Sequence, residues 1–455
     1  MQHSRRTLIK GASVITMDTQ GDLLKGDILV TGDTLTEIAP VIHADDAQAI
    51  DGAGFIVIPG LVNAHMHTWQ TALRGLAANW TLLEYFQKMH AGLATVFQPQ
   101  DLYIATLVGS LNQLNCGTTT LADWCHNNPT PAHNDAAIAG LLESGIRAAF
   151  FHGTAKPDPK PGQTPFWEVP HPRAEIERLL AAHQGKPLLS VQAAVLGPHY
   201  STLDVSLHDF TMAKELGLIA SLHQGGGPAR TEGGWEKLEA AGLLGDHINI
   251  VHGHALSDAQ LQRFCDLGIS FSAAAESEMS QGHGFPLTGR LRAAGRAPSL
   301  GVDLESVLSG DMLTQARVAL GMQRSLDNFA FRLSPFAFRE AHGGIPPTST
   351  VTTREALSWV TVEGARMLKQ SSRIGSLAAG KQADLVMIRA TDLNMQPVID
   401  PVNSVVMQTS LANIDSVMVA GEWKKRHGQL LGVELAPHLE ALRASSRKIR
   451  AAMKL

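Results

Sequence analysis

The stretch IPGLVNAHMHTWQTALRG, residues 58–75, decides the fold. An apolar run closed by Pro59 and Gly60 leads into two histidines, His65 and His67, which stand two positions apart. Residues i and i+2 of a strand point to the same side, so both imidazoles are expected to project from the end of one strand. Two imidazoles held in this way can share one cation, and imidazole nitrogen suits zinc and iron.

Further apolar runs follow this one and alternate with helical patterns such as DLYIATLVGSLNQLNCG (101–117) and AEIERLLAAHQG (174–185). Alternating strands and helices predict a parallel sheet, and eight such units predict an α/β fold closed into a (β/α)8 barrel of the TIM type. An open doubly wound sheet is the alternative. That fold normally has a glycine-rich phosphate turn after an early strand, and the sequence has none.

The apolar runs share one property, because ionisable or metal-binding side chains stand where each run ends. These side chains are His65, His67, Asp123, His126, His152, His199, His223, His252, His254, Glu276, Glu278 and Asp303. The carboxyl ends of barrel strands form the active-site face of a TIM barrel. We therefore expect a functional site at this face.

Four of these residues form a candidate ligand set. His223 follows the fifth run and Asp303 the eighth, and together with His65 and His67 they predict three imidazoles and one carboxylate around one ion. Such a set suits one divalent metal, zinc before iron, and leaves room for a water whose pKa the metal lowers to about 7. His252, after the sixth run, is predicted to polarise the substrate, to move protons or to ligate a second metal.

Residues beside the ligand set are candidates for the substrate pocket. Trp69 and Gln70 directly follow the first two histidines, and His199 and His254 are predicted to contact substrate. For His199 a structural role at the strand end is an equally good interpretation. For His254 a hydrogen-bonded position behind the ligands is equally good. His126 is expected in the pocket wall or behind it.

Both ends of the chain are rich in short strand patterns. The runs are TLIKGASVITMD (7–18), GDILVTGDTLTEIAP (26–40), GSLAAGKQADLVMIRA (375–390), SVVMQTS (404–410) and IDSVMVAGEWKKRHGQ (414–429). They predict one small composite β-sandwich domain from residues 1–58 and 375–455, with the barrel at 59–374. A final amphipathic helix is predicted from about Pro437 to Lys454.

The bulk composition excludes several classes of protein. The chain has 455 residues, 44% apolar and 17% charged, and a formal net charge of -5. This charge gives no basic surface for nucleic acid and no attraction to an anionic membrane. Three cysteines without a CxxC pair favour the reducing cytoplasm. The motif SRRTLIK (4–10) is similar to a twin-arginine export signal, but no apolar segment follows it, so we expect no export.

Five motifs spread along nearly the whole chain resemble the amidohydrolase superfamily, nearest to its cytosine deaminase and triazine hydrolase (chlorohydrolase) branch. The motifs are PGLVNAHMHTWQTALRG (59–75), CGTTTLAD (116–123), VHGHAL (251–256), GVD (301–303) and GSLAAGKQADLV (375–386). The resemblance implies a (β/α)8 barrel that usually holds one zinc or iron ion, and dimers or higher homo-oligomers. It implies His65 and His67 as the ligand pair of the first strand, His223 as the ligand of the fifth and Asp303 as that of the eighth. No lysine ends the fourth run, where relatives with two metals often carry a bridging lysine, and this favours one metal.

Two departures from the pattern of this branch affect the chemistry. The branch usually carries a glutamate three residues after the histidine of the fifth strand, and this chain has Gly226 there, in HQGGG (223–227). In AAAESEMSQGHGFP (273–286), Glu278 stands about where relatives have an asparagine. Glu278 or Glu276 is the candidate replacement for the lost proton shuttle. The alternative is that both are solvated loop acids.

The sequence therefore predicts a mononuclear metal-dependent hydrolase that cleaves a non-peptide carbon–nitrogen or related bond of a small molecule with metal-activated water. His252, Asp303 and Glu278 are its predicted catalytic groups. Two chemistries stay open: deamination or dehalogenation of a nitrogen heterocycle, and hydrolysis of an acyclic amide, urea, carbamate or thiocarbamate. A third interpretation is a non-catalytic small-molecule binding protein on a decayed barrel, against which the complete ligand set argues.

Overall fold

A computed structural model of the chain describes residues 6–225 and 227–453. Part of the arginine motif at 4–10, Gly226 and the predicted end of the last helix at Lys454 lie outside these residues. Two sheets organise the described chain. One is a parallel sheet of eight strands and the other is a mixed sheet of nine.

The first five strands precede the barrel. They are β1 (Arg6–Val14), β2 (Leu23–Thr31), β3 (Thr34–Ala39), β4 (Gln48–Asp51) and β5 (Phe55–Pro59). The barrel strands follow. They are β6 (Leu61–Met66), β7 (Thr118–Cys125), β8 (Arg147–His152), β9 (Leu189–Ala194), β10 (Ala220–Gln224), β11 (Ile248–His252), β12 (Ser270–Ala273) and β13 (Ser299–Leu300). Each barrel strand pairs in parallel with the next in chain order. The predicted (β/α)8 barrel is confirmed.

The last four strands return to the first sheet. They are β14 (Leu385–Arg389), β15 (Ile414–Val419), β16 (Glu422–Arg426) and β17 (Gln429–Leu430). The sheet runs in the order β17-β16-β15-β14-β5-β1-β2-β3, and β4 also pairs with β1. Since β14 lies against β5, the two ends of the chain form one composite β domain, as predicted. The chain leaves this sheet at the end of β5 and enters the barrel at β6, so the run 55–66 serves both sheets.

The helices lie between and after these strands. They are α1 (Leu82–Tyr85), α2 (Pro99–Asn115), α3 (Pro131–Ser144), α4 (Arg173–His183), α5 (Gly197–Tyr200), α6 (Leu203–Glu215), α7 (Gly234–Ala240), α8 (Asp258–Asp266), α9 (Ala275–Gln281), α10 (Thr288–Ala293), α11 (Met312–Leu333), α12 (Phe336–Ala341), α13 (Thr353–Trp359), α14 (Val362–Met367), α15 (Pro401–Gln408) and α16 (Leu435–Ala452). None of these helices, within the described chain, is both long enough and apolar enough to cross a lipid bilayer.

One strand prediction is wrong, because SVVMQTS at 404–410 lies largely in α15. The side chain of Asp400 accepts a hydrogen bond from the backbone N–H of Asn403 at 2.8 Å, and Pro401 occupies the first turn. An aspartate cap followed by proline is a helix-start signal, and it outweighs the β-branched valines that suggested a strand.

The barrel closes where β13 meets β6. Met66 and Asp303 form a parallel bridge, the backbone N–H of Asp303 donates to the carbonyl of His65 at 2.9 Å, and that of His67 donates to the carbonyl of Asp303 at 2.8 Å. A Cβ on Gly301 would lie 2.4 Å from the carbonyl oxygen of His65, so only glycine permits this close approach. Barrel closure therefore holds three of the predicted ligands in one backbone network.

Candidate metal centre

Two of the predicted histidine ligands converge on one oxygen atom of the predicted carboxylate ligand at the carboxyl end of the barrel. Nε2 of His65 and Nε2 of His67 each lie 3.3 Å from Oδ1 of Asp303. Nε2 of His223 lies 3.2 Å from Nε2 of His65. The end of β6, the end of β10 and the residue that closes the barrel thus bring their side chains to one point.

His252 also points to this cluster. One ligand atom from each of His65, His223, His252 and Asp303 lies within 4.8 Å of the others. His67 is held differently, because its Nδ1 lies 2.5 Å from the carbonyl oxygen of Trp124. A hydrogen bond from Nδ1–H to a carbonyl fixes the tautomer and leaves the lone pair of Nε2 directed at the cluster.

The chemistry of the donors fits a divalent metal. Burial lowers the pKa of His65 to about 3 and that of His223 well below its usual value. Both rings are therefore neutral. At most one proton can lie between the two Nε2 atoms, whereas a metal cation would bind the lone pairs of both nitrogens. Burial alone would raise the pKa of Asp303, but the adjacent rings of His65 and His67 hold it well below its usual range. Neutral imidazoles with one carboxylate form the donor set that zinc prefers.

Backbone strain marks two residues of the cluster. His252 and Asp303 both have a φ of 67°, in the left-handed region that residues other than glycine seldom adopt. This conformation costs roughly 1–2 kcal/mol for each residue. Strain of this kind persists where the surrounding structure fixes a residue, often at a functional site.

Helix α9 supports the centre from behind with two successive side chains. Ser277 Oγ donates to Oδ2 of Asp303 at 2.7 Å. Oε1 of Glu278 lies 2.9 Å from Nδ1 of His252 and accepts a second hydrogen bond, at 2.8 Å, from the backbone N–H of Ala274. Burial lowers the pKa of His252, but the hydrogen bond to Glu278 and the charge of Asp303 outweigh burial and raise it overall.

The structure separates the two candidate acids of the 273–286 segment. Glu278 is fully buried, so the interpretation as a solvated loop acid does not hold for it. Its Oε2 has no hydrogen-bond partner among the described residues. Glu276 is half-buried, and its Oε2 accepts from Nε2 of Gln315 at 2.7 Å. Glu278 therefore touches the centre through His252, whereas Glu276 faces the helix α11.

A small cavity of about 30 Å³ lies beside the cluster. Its wall contains His67, Leu82, Tyr85, Phe86, His90, His126, Lys156, Tyr200, His223, Gly225, His252, Gln281, His283, Asp303 and Leu304. A cavity needs about 10–15 Å³ by the same measure to hold one water molecule. The cavity therefore has room for water beside the metal ligands, and a larger molecule enters only when some of these side chains move.

Two of the predicted substrate residues lie behind this wall. Trp69 Nε1 donates to Nδ1 of His126 at 3.0 Å, and Nε2 of Gln70 donates to the hydroxyl of Tyr85 at 2.6 Å. Oε1 of Gln70 also accepts from the hydroxyl of Ser306 at 2.6 Å. Both side chains are completely buried and hold cavity residues in place.

The other two predicted substrate residues also lie outside the cavity wall. Nδ1 of His199 lies 3.2 Å from Nε2 of Gln224, within hydrogen-bonding distance. His254 lies in the turn after β11, and burial together with the charge of His252 lowers its pKa to about 4. Direct substrate contacts of these two histidines stay a prediction. The expected placement of His126 in the pocket wall agrees with the structure.

Sequence reasoning missed several cavity residues, notably Tyr85, Lys156, Tyr200 and His283. Three of them lie in loops or short helices a few residues beyond a strand end. The position of these loops in the sequence could have indicated them, because the βα loops of a barrel lie at the same face as the strand ends. Tyr85 lies on α1, far from any strand end in sequence.

Comparison with known proteins agrees with the fold. The model of the amidohydrolase family matches residues 56–424. The 8-oxoguanine deaminase of Pseudomonas aeruginosa is 30% identical over 88% of this chain and 89% of its own length. A 5-methylthioadenosine/S-adenosylhomocysteine deaminase of Caldicellulosiruptor saccharolyticus is 25% identical over 94% of this chain and 95% of its own.

Two solved structures share the whole fold. A zinc-bound adenosine deaminase of Xanthomonas campestris superposes with a TM-score of 0.83 and 22% identity, over 98% of each chain. A mutant atrazine chlorohydrolase of Arthrobacter aurescens, in complex with zinc and atraton, superposes with a TM-score of 0.82 and 21% identity, over 97% of this chain and 100% of its own.

The barrel, its ligand cluster and these relatives define a metal-dependent hydrolase that acts on carbon–nitrogen bonds other than peptide bonds. The chain belongs to the amidohydrolase family.

Proposed function

We propose that this chain holds one zinc ion through His65, His67, His223 and Asp303, and that it deaminates a nitrogen heterocycle. The observation that carries the proposal is that His65 and His67 both approach Oδ1 of Asp303, while His223 lies 3.2 Å from His65. A divalent metal in such a set supplies a hydroxide nucleophile at neutral pH, because it lowers the pKa of water to about 7.

Asp303 has the position of a proton acceptor for the attacking water. Oδ1 faces the histidines, and Oδ2 is fixed by the hydroxyl of Ser277. The carboxylate is therefore held in one orientation while Oδ1 can take a proton and pass it to the leaving nitrogen. General acid–base help of this kind contributes about 10²–10⁴ in rate.

His252 is placed to donate to the substrate. Its Nδ1 contacts Glu278, so Nε2 is the atom that can reach the substrate in the cavity. An imidazole oriented by a buried carboxylate favours its protonated form, which stabilises negative charge that develops on a heterocycle under attack. Glu278 thus acts on the reaction through His252 and is a positioning residue in this proposal.

The relatives favour a heterocycle as the substrate. The deaminases similar to this chain are named for 8-oxoguanine, 5-methylthioadenosine, S-adenosylhomocysteine and 5'-deoxyadenosine. Each of these compounds is a purine or carries one, and the 8-oxoguanine deaminase is 30% identical to this chain. A purine base is therefore the first substrate class to test.

Hydrolysis of an acyclic amide, urea, carbamate or thiocarbamate is the second candidate. It is favoured by Gly226, which stands where the deaminase branch carries its glutamate, and by Glu278, which contacts His252 rather than the cavity. Deamination of a ring must protonate a poor leaving group, and the loss of one acid removes the usual donor for that step.

A panel assay of ammonia release separates the two candidates. Zinc-loaded protein is incubated with purines, with pyrimidines and with acyclic ureas and carbamates, and His223→Asn serves as a control that lacks one ligand. Turnover of a purine with at least about tenfold higher kcat/KM than any acyclic compound supports the heterocycle deaminase. Turnover of acyclic compounds alone contradicts it and selects the second candidate.

Two further predictions concern the cellular location and the oligomeric state of the protein. Cys116, Cys125 and Cys265 are all buried and unpaired with one another, which suits the cytoplasm expected from composition. A homo-oligomer is expected from the family resemblance. Size-exclusion chromatography with light scattering measures the assembly directly.

A further inference from the structure

One cation of the cavity wall has no role in the chemistry proposed so far. Lys156 follows β8 by four residues, in the loop GTAKPDPKP (153–161), and it is the one lysine or arginine among the described residues that line the cavity. All the other basic residues of that wall are histidines. Within the described chain Asp303 is its one carboxylate.

Aromatic faces hold the ammonium of Lys156 in place. Nζ lies 5.2 Å from the ring centre of Tyr200 and 5.8 Å from that of Trp124. Trp124 in turn packs against His223, with ring centres 4.3 Å apart. A cation over an aromatic face is attracted by the ring, so these contacts hold the ammonium group of the half-buried Lys156 at the cavity wall, beside the metal ligands.

No hydrogen-bond acceptor or ion-pair partner faces Nζ within residues 6–225 and 227–453, although Asp303 attracts it across the cavity. An ammonium group has three donors, and an ion that is partly removed from water without partners is costly. A ligand that supplies an acceptor oxygen removes this cost. Lys156 therefore has the features of a substrate-binding residue. Its ammonium group is held in place, its N–H donors have no acceptor among the described residues, and it lines the cavity next to the metal ligands.

We propose that Lys156 binds an anionic or carbonyl oxygen of the substrate, so that the enzyme selects molecules that carry such an oxygen near the carbon–nitrogen bond it cleaves. The oxygen is a ring oxo group or a carboxylate, and both offer the same acceptor to an ammonium group. This inference rests on the proposed function and names the substrate class within it.

The charge of the cavity supports this preference for a substrate oxygen. The pKa of His90 is well below the usual value because the ring is buried, so this part of the wall is neutral at pH 7. With a divalent metal and one carboxylate, Lys156 leaves the centre with an excess of positive charge. A substrate oxygen that carries negative charge is favoured in such a cavity over an equally shaped molecule with hydrogen in its place.

Matched probes test this inference. The series 8-oxoguanine, guanine and 2-aminopurine carries two, one and no oxo groups on the purine ring. The pair N-carbamoylglycine and N-propylurea differs by one carboxylate. Affinities are measured by tryptophan fluorescence titration of zinc-loaded protein, and a probe that turns over is compared by KM and kcat. The proteins are wild type, Lys156→Met, Lys156→Gln and Lys156→Arg, with Lys160→Met as a control for an exposed lysine of the same loop.

In the wild type we expect one oxygen-bearing probe to bind about tenfold to hundredfold more tightly than its matched partner, as one charge-assisted hydrogen bond would give. Lys156→Met and Lys156→Gln remove this difference, Lys156→Arg keeps it, and Lys160→Met has no effect. A difference in affinity between members of the purine series identifies a ring oxo group as the bound oxygen. A difference in affinity between the two ureas identifies a carboxylate.

Two results overturn the inference. One is a wild type that fails to discriminate within either set, including a wild type that binds none of the probes. The other is discrimination that persists in both Lys156→Met and Lys156→Gln with zinc retained. Discrimination that depends on Lys156 without any release of ammonia would leave this inference standing and overturn the proposed deaminase function instead.

Discussion

Nδ1 of His252 lies 2.9 Å from Oε1 of Glu278, and Glu278 is fully buried outside the wall of the cavity. The glutamate therefore reaches the chemistry through the imidazole. A buried carboxylate behind a histidine fixes the tautomer and orientation of the ring, and loss of such a partner typically costs about 10–100-fold.

Replacement of this carboxylate by an amide tests the relationship. We expect Glu278→Gln to lower kcat by about 10–100-fold with little change in KM and with metal retained, because only the charge behind His252 is lost. Glu276→Gln is the matched control, since Glu276 faces Gln315, and it should keep nearly full activity. Equal activity of Glu278→Gln and wild type would remove Glu278 from the mechanism.

The roles of His67 and His252 can be separated by metal content. Both side chains reach the cluster, but Nδ1 of His67 is fixed by the carbonyl of Trp124, whereas Nδ1 of His252 is fixed by Glu278. We expect His67→Asn to weaken metal binding by at least about 100-fold. His252→Asn should keep the metal and lose about 10²–10⁴ in kcat. The reverse pattern would make His252 the ligand and His67 the auxiliary residue.

Gly225, the one glycine among the described residues that line the cavity, is expected to be essential for the shape of the site. A Cβ at this position would lie 2.4 Å from the hydroxyl of Tyr200 and 3.2 Å from Nε2 of His199. Gly225→Ala must displace Tyr200, and a misplacement of about 1 Å can cost about 10²-fold in activity. Gly321→Ala is the control, because a Cβ there meets no atom within 4 Å, and it should leave kcat/KM unchanged. Unchanged activity of Gly225→Ala would show that Tyr200 does not shape the site.

Lys156 predicts a pH dependence of substrate affinity. Burial lowers its pKa to about 8, and the attraction of Asp303 opposes this shift. The ammonium form is complete below that pH and is lost as the pH rises through it. KM for an oxygen-bearing substrate should therefore rise above about pH 8 in the wild type. Lys156→Arg should abolish this rise, because arginine stays protonated up to about pH 12. A flat KM from pH 7 to 10 in the wild type would contradict the prediction.

A buried ion pair joins the barrel to the composite domain. Nε and Nη2 of Arg147, at the start of β8, each donate at 3.0 Å to the carboxylate of Asp384. We expect Asp384→Asn to lower the free energy of unfolding by about 3–5 kcal/mol, because an uncompensated charge remains buried. Glu355→Gln, which removes the exposed pair with Arg292, should cost at most about 1 kcal/mol. Urea unfolding measures both, and equal effects would show that the Arg147 pair does not couple the two parts.

Much of this organisation could be predicted from sequence, because local patterns encode it. The alternation of apolar runs and helices predicted the barrel, and the run ends predicted that His65, His67, His223 and Asp303 come together. Strand ends of a parallel barrel meet at one face whatever the details of packing. The composite domain was predictable for a similar reason, since both chain ends carried the same strand pattern.

The remaining features depend on tertiary contacts. Glu278 was expected near the chemistry, but its position behind His252 depends on how α9 follows the short β12. Trp69 and Gln70 stand beside the ligands in sequence, yet a short helical turn places both in the core, where they hold His126 and Tyr85. No sequence motif indicated a role for Lys156, because only the fold of its loop brings it beside Trp124 and Tyr200.

Metal content per chain tests the central claim most directly. Protein is purified without chelator and without a metal-affinity resin, and its metals are measured by elemental mass spectrometry. The ligand cluster predicts close to one divalent ion per chain, zinc above all, with the loss of most of this content in Asp303→Asn. A content near zero, with no activity gained on addition of zinc or iron, would contradict the account.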